Sequence, residues 1–303
     1  MHAIETYELT KRFRRVEAVC DLNLKIESGS IYALMGPNGA GKTTLIKMLM
    51  NLVRPTSGSA LMLGGDASAL RGRCLEAIGY VSENQKMPDW MTVEEFLKYW
   101  RPFYPSWDTV LERNLADRFA LPLKRKIKNM SRGMRMKAAL ASALAYRPKL
   151  LVLDEPLSGL DPLVRDDLME ALLEQSGETT VLISSHDLAE IDNFASHVGF
   201  IDGGRLRLSE PMKAVREQFK SVKVESEEVL PIPSDLPPEW IRFSTNGQKA
   251  QWSETSWDAQ RSEARIHEVF GAVDFATSPM ALREVFLALA KPTSPSGGMA
   301  VTQ

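Results

Sequence analysis

An α/β fold organised around a parallel sheet is predicted by three features of this 303-residue sequence. A glycine-rich loop, Gly36-Pro37-Asn38-Gly39-Ala40-Gly41-Lys42-Thr43, joins a short apolar run at 31–35 to a stretch of helical spacing at 44–52. Two continuous apolar runs, 150–153 and 180–183, have the character of strands buried on both faces of a sheet. The segment at 164–174 lies between them with helical spacing, which makes the three a βαβ crossover.

The loop constrains the chemistry most tightly. Gly36, four residues, then Gly41-Lys42-Thr43 is a complete phosphate-binding pattern. Glycine lets the backbone turn its N–H groups inward around phosphate oxygens, at φ values that a side chain disfavours. Lys42 supplies charge for the β- and γ-phosphates and the Thr43 hydroxyl is placed to ligate Mg2+. The phosphates would rest on the amino end of the following helix. Binding of a nucleoside triphosphate is the expectation.

The other elements follow in chain order. Residues 4–9, 20–26 and 59–63 show strand-type alternation or short apolar runs, divided by Ser28-Gly29, Pro55-Thr56-Ser57-Gly58 and Gly64-Gly65. From 92 to 144 the spacing is helical, with a break at Pro102-Phe103-Tyr104-Pro105. Residues 138–146 read as a buried helix. After Lys220 the composition shifts: Glu225-Ser226-Glu227-Glu228 and Pro231, Pro233, Pro237 and Pro238 read as a linker or loop. Strand-like pieces at 240–244 and 249–252, a helix at 258–270, a strand near 272–276 and a helix at 280–290 make a small α+β unit. The expected domains are therefore 1–217, with a helical subdomain at about 84–145, then 218–290, then a disordered tail at 291–303. No internal repeat is evident.

Composition narrows the function classes. A hydrophobic content of 44% is ample for a packed core. The formal net charge of −2 argues against a general nucleic-acid binder, so no nucleic-acid partner is expected. Cys20 and Cys74 lie far apart without metal-like spacing and read as reduced thiols of a cytosolic protein. The start, Met1-His2-Ala3-Ile4-Glu5, lacks the long apolar core of a signal peptide. No run approaches the ~20 apolar residues needed to span a bilayer, so a membrane role needs a partner.

A second constellation follows the run at 150–153, which ends in Asp154-Glu155-Pro156. A parallel strand would put Asp154 at its carboxyl end beside the phosphate loop, where it can hold Mg2+ through water. Glu155 is suited to polarise an attacking water. With both motifs in place, five further segments resemble the ATPase subunit of an ABC transporter. Phe13 matches the aromatic that stacks on adenine in that family. Ile78-Gly79-Tyr80-Val81-Ser82-Glu83 matches the Q-loop, and Asn129-Met130-Ser131-Arg132-Gly133-Met134 the signature motif. Leu157-Ser158-Gly159-Leu160-Asp161 matches the D-loop, and Ser184-Ser185-His186 the switch histidine. The resemblance covers residues 3–215.

It implies a P-loop NTPase of ABC ATPase type, with an antiparallel β subdomain, a helical subdomain and the small C-terminal α+β domain. Its cofactors would be ATP and Mg2+. ATP would be held by Phe13, Gly36, Pro37, Asn38, Gly39, Ala40, Gly41, Lys42, Thr43, Thr44, Glu83, Ser131, Gly133 and Asp161, and Mg2+ by Thr43, Glu83 and Asp154. Glu155 would orient water, His186 would hold the γ-phosphate, and Lys42 would stabilise charge. His2, His197 and His267 receive no role. In this family ATP is sandwiched between the phosphate loop of one subunit and the signature of a second. A head-to-tail dimer, with itself or a related subunit, is implied, together with an integral membrane permease. The chain would then sit at the cytoplasmic face of the cell membrane. Residues 278–289 resemble the C-terminal helix of drug- and antibiotic-exporter ATPases, which favours export. A soluble ABC-type ATPase of iron–sulfur cluster assembly is the alternative.

The sequence also departs from the family pattern. Glu83 stands where glutamine is usual, and a carboxylate cannot donate as an amide does. It also adds negative charge near Glu155. Arg132 replaces one signature glycine and Met134 the glutamine; Arg132 either reaches nucleotide or a partner, or is a solvated residue. The aromatics Trp90, Phe96, Tyr99, Trp100, Phe103, Tyr104 and Trp107 read as the core of the helical insert, with some free to line a groove for a partner helix. Lys124, Arg125, Lys126, Lys128, Arg132, Arg135 and Lys137 form either a solvated basic face or a grip on a partner's phosphates. The small C-terminal domain either regulates dimer closure or is a packing appendage.

Overall fold

The computed structural model describes residues 1–175, 177–187, 191–192, 194–233 and 235–290. The tail expected at 291–303 lies outside them. The chain divides into two compact units, Met1–Glu210 and Pro211–Gln303.

The first unit begins with a long hairpin, β1 (His2–Phe13) and β2 (Val16–Glu27), paired antiparallel from His2–Glu27 to Phe13–Val16. Strand β3 (Ile31–Met35) leads into the phosphate loop and α1 (Lys42–Leu49). Strands β4 (Ser57–Met62) and β5 (Gly65–Asp66) complete an antiparallel sheet of order β2-β1-β4-β5. Strand β6 (Ile78–Ser82) is followed by the helices α2 (Val93–Trp100), α3 (Thr109–Arg118) and α4 (Arg132–Leu144). Then come β7 (Leu150–Asp154), α5 (Pro162–Leu173), β8 (Thr180–Ser185), β9 (His197–Asp202) and β10 (Arg205–Pro211).

The second sheet has the order β10-β9-β3-β8-β7-β6. Its central strands β3, β7 and β8 are buried at every residue, as their unbroken apolar runs require. Parallel pairing aligns their ends: Met35 with Ser185, Asp154 with Ser184, and Ser82 with Asp154. The loops that begin at Gly36, Glu83, Glu155 and His186 therefore leave one edge of one sheet. Among the described residues no helix is long and apolar enough to cross a membrane.

The helical segment owes its shape to caps and to one carboxylate. Thr92 and Glu95 form a reciprocal capping box at α2, and the Asp108 side chain accepts from Val110 N and Leu111 N at the start of α3. Glu112, buried on α3, accepts from Arg101 Nε at 2.8 Å and Nη2 at 2.7 Å, and from Trp107 Nε1 at 2.8 Å. Tyr104 and Tyr146 stack with ring centroids 3.8 Å apart. Phe96 is buried, and Trp100 packs edge-on to it, as expected for a core. Trp90, Tyr99 and Phe103 instead expose 68%, 48% and 57% of their surfaces, so part of this aromatic set faces solvent.

The second unit contains α6 (Met212–Gln218), β11 (Lys220–Glu225), β12 (Trp240–Asn246), β13 (Lys249–Glu254), α7 (Ala259–Phe270), β14 (Asp274–Pro279) and α8 (Leu282–Ala290). Its sheet has the order β12-β13-β11-β14, with β11 antiparallel to both neighbours. Val222, Val224, Trp240, Trp252, Ile266 and Phe270 form its core, with the two indoles stacked 4.1 Å apart. The polar, proline-rich stretch after Glu225 thus joins two strands of one sheet and is a loop inside this unit. The division falls before α6. Strands β9, β10 and β11 and helix α6 were not foreseen from the sequence.

Glu112→Ala should lower stability by about 1–3 kcal/mol, because it leaves the Arg101 guanidinium and the Trp107 N–H without their acceptor. Thermal melts of the two chains check this; an unchanged melting temperature would show that water replaces the carboxylate at no cost.

Candidate functional site

The phosphate loop takes its form from backbone crowding. Gly41 has φ +113°, and a Cβ there would lie 2.3 Å from Ala18 O on β2, so no other residue fits both demands. Its carbonyl accepts from Leu45 N at 2.8 Å, the first bond of α1. Ala40 N donates to Pro37 O at 3.1 Å and Gly204 N to Ala40 O at 2.9 Å, fixing the loop from both sides. The contact at Ala18 also brings the β1–β2 hairpin to the loop. Phe13, paired with Val16 at the hairpin tip, is exposed, with Lys11 Nζ 4.9 Å from its ring centre.

Lys42 is buried and its ammonium is fully engaged. Nζ donates to Gly36 O at 2.6 Å and Pro37 O at 3.2 Å, and lies 3.1 Å from Glu155 Oε1. Thr43 Oγ1 donates to Asp154 Oδ1 at 3.0 Å, and Ser184 Oγ donates to the same oxygen at 2.9 Å. Burial raises the Asp154 carboxyl above its ordinary value, and the Glu155 charge adds to this; the Ser184 and Thr43 hydroxyls pull the other way. Glu155 N donates to Ser184 Oγ at 2.9 Å. The opposite carboxylate oxygen of Glu155 lies 2.8 Å from His186 Nδ1. Glu155 holds a left-handed backbone, φ +51°, a conformation costing about 1 kcal/mol or more for a residue with a side chain. Thr43, Lys42, Asp154, Glu155 and His186 thus form one connected polar cluster at the sheet edge.

Other expected residues are placed by local structure. Ser131 caps α4, its hydroxyl accepting from Met134 N at 3.2 Å, and Gly133 is buried in the first turn. Asp161 caps α5, accepting from Val164 N at 3.1 Å, with Pro162 opening the helix. Glu83 N donates to Asp154 O at 2.9 Å, which ties the Q-loop backbone to β7. The Glu83 side chain turns instead to Arg132, whose Nη2 lies 2.6 Å from its Oε1. Arg132 is therefore paired within the chain while staying 47% exposed, and the extra negative charge at position 83 is matched there. The basic stretch is also partly engaged: Lys137 meets Asp167 at 2.5 Å, and Arg125 Nη1 lies 3.7 Å from Met134 Sδ.

Two participants have no role assigned from the sequence alone. Ser184 links Asp154 to Glu155; its signal was a hydroxyl closing an otherwise apolar strand run. Ala18 sets the loop through a carbonyl, for which a sequence carries no signal.

Comparison with known proteins agrees with this geometry. A family model described as ABC transporter matches residues 19–158. The uncharacterized ABC transporter ATP-binding protein YcbN of Bacillus subtilis is 37% identical over 223 residues, 72% of this chain and 72% of its own length. The daunorubicin/doxorubicin resistance ATP-binding protein DrrA of Streptomyces peucetius is 36% identical over 212 residues, 67% of this chain and 64% of its own. Among solved structures, cbiO1 of Clostridium perfringens, part of the ABC transporter complex cbiONQ, matches with a TM-score of 0.61. It is 26% identical, over 71% of this chain and 90% of that one. The phosphate loop, the acidic pair closing β7 and these relatives together mean that the chain belongs to the ABC transporter ATP-binding proteins, the ATPase subunits that couple ATP hydrolysis to transport.

Proposed function

We propose that this subunit powers export of a substrate through a separate membrane permease, with the cluster Lys42–Asp154–Glu155–His186 as its hydrolytic centre. The convergence of those four side chains on the phosphate loop carries the reading. The export direction is supported by the likeness to DrrA, a drug-resistance protein by name, and by the resemblance of residues 278–289 to exporter ATPases.

ATP would place its β- and γ-phosphates on the loop amides, Lys42 exchanging the Gly36 and Pro37 carbonyls for phosphate oxygens. Adenine would stack on Phe13 at the hairpin tip. Glu155 orients water in line with the γ-phosphate and takes its proton as the new oxygen–phosphorus bond forms. The bond to the bridging oxygen breaks, and ADP and phosphate result. His186 is within reach to fix the Glu155 carboxylate and to hold a γ-phosphate oxygen from its other ring nitrogen.

The donor set fits Mg2+. Thr43 Oγ1 and Asp154 Oδ1 are hard oxygens already in contact, and Glu83 adds a carboxylate on the adjoining loop. Among the described residues no three His, Cys, Asp or Glu side chains form a metal cage, so phosphate oxygens and water would complete the shell. An ion held there would supply charge neutralisation for the phosphates. Asp154 would hold it, directly or through water, and the Thr43 hydroxyl would turn a lone pair toward it.

Ser131 and Gly133, at the amino end of α4, would complete the ATP site of a second ATPase subunit in a head-to-tail dimer. A permease contact, supported by the membership of cbiO1 in a transporter complex, would hold the chain at the cytoplasmic face of the membrane. Copurification of a membrane protein with the tagged chain tests that placement.

Glu155→Gln should retain ATP binding and lower steady-state ATPase turnover about 10²–10⁴-fold, the usual worth of a positioned base. Near-normal turnover would remove Glu155 from that role. Lys42→Ala should weaken binding of a fluorescent ATP analogue roughly 10- to 100-fold, since charge-assisted hydrogen bonds of about 1.5–3 kcal/mol are lost. An unchanged affinity argues against Lys42 as a phosphate ligand. Asp154 gives a pH prediction. Its raised folded-state pKa means the native chain binds more protons than the unfolded one between the ordinary carboxylate value and the raised one. Stability from this group is therefore full below the ordinary value and is lost as pH rises through the raised value. Asp154→Asn, which keeps an acceptor for both hydroxyls, should raise the nucleotide-free melting temperature at neutral pH by about 2–4 °C and flatten its pH dependence. A lower melting temperature would overturn this account.

A further inference from the structure

Glu83 and Arg132 are the two charged departures from the family pattern, and they meet. They lie 49 residues apart in sequence, on the loop after β6 and the first turn of α4, with Nη2 to Oε1 at 2.6 Å. The guanidinium also lies against Gly159 of the D-loop, where a Cβ would come within 3.0 Å of Nη1. One side chain from the first turn of α4 therefore meets two other loops, those of Glu83 and Gly159.

Local preference does not account for this arginine. The first turn of α4 contains no acid, and a cation there opposes the helix dipole. Its favourable partner comes from the distant Glu83. That carboxylate has a second use, since it sits on the loop tied to Asp154 by the Glu83 N to Asp154 O bond. Glu83 Oε1, held at 2.6 Å by a guanidinium, is not free to serve a cation bound between Thr43 and Asp154.

We propose that Arg132 is a positioning residue that holds the Glu83 carboxylate out of the nucleotide site until ATP arrives with its cation. Glu83 then exchanges one cationic partner for another, and Arg132 is released at the face where signature and D-loop lie. The pair makes closure of the Q-loop on nucleotide a competition between a guanidinium and a divalent ion. This rests on the reading of Glu83 as part of the nucleotide site.

Titration of the full chain with a fluorescent ATP analogue and Mg2+ tests it, using Arg132→Met in wild-type and Glu83→Gln backgrounds. The pair is partly exposed, 47% for Arg132 and 32% for Glu83, so its removal is worth a factor of about two to five. Arg132→Met should tighten binding by that factor in the wild-type background and leave it unchanged in Glu83→Gln. Arg132→Lys, which keeps the charge, should stay near wild type. The wild-type–Met difference should shrink in about 0.5 M salt, where exposed pairs are screened. Weaker binding in Arg132→Met, or the same change in both backgrounds, overturns the proposal. Glu83→Ala alone separates the two levels, because glutamine would keep an oxygen for the cation. Unchanged Mg2+-dependent binding in that variant overturns the assignment of Glu83 and the latch with it. Weakened binding there, without a gain in Arg132→Met, overturns the latch alone.

Discussion

One carboxylate oxygen joins the parts of this molecule that have to act together. Asp154 Oδ1 accepts from Thr43 at the start of α1 and from Ser184 at the end of β8. Through the Ser184 hydroxyl it also reaches Glu155 N. The oxygen is buried, so each hydroxyl is needed: without them an ionised carboxylate at the end of an apolar strand would be far more costly. The result links Thr43, Asp154, Ser184, Glu155 and His186 through hydrogen bonds of about 3 Å or less.

The sheet makes that linkage possible. Parallel strands with one register end at one edge, so residues distant in sequence arrive together without any of them being on adjacent elements of the chain. Burial on both faces leaves these strands few polar side chains, such as the hydrogen-bonded Thr180 and Tyr32, before their last residues. The polar residues that do occur there, Asp154, Ser184 and Ser185, are buried as well. Glu155 follows immediately in a left-handed backbone, held by the Ser184 hydroxyl. Stability is given up at this edge in exchange for a preformed arrangement of charge.

Much of this was legible in the sequence, and the reasons are physical. The phosphate loop is legible because contiguous residues carry its chemistry and only glycine fits Gly41. The central strands are legible because burial on both faces leaves unbroken apolar runs. Strand β11 was missed because its buried residues, Val222 and Val224, are too short a pattern to outweigh the acidic and proline-rich residues that follow. Strand β10 buries none of its residues, so it left no apolar run to read. The aromatic segment was half legible: composition indicated a core, while the division between buried Phe96 and exposed Trp90 depends on how α2 meets its neighbours. The Glu83–Arg132 pair was not legible at all. Each residue is a departure from the family pattern, but a contact across 49 positions is a product of the fold.

The interleaved order of the second sheet bears on how this chain can be divided. Strand β11 comes first in sequence yet stands between β13 and β14, both of which lie beyond the polar loop. A chain ended within that loop would keep β11 and lose both of its neighbours, leaving two open strand edges and the apolar pair Val222 and Val224 uncovered. Such an edge invites pairing with other copies. The composition of the loop makes it the natural place to cut, but the hydrogen bonding puts the safe cut earlier, at Glu210, where no sheet of the second unit has yet begun.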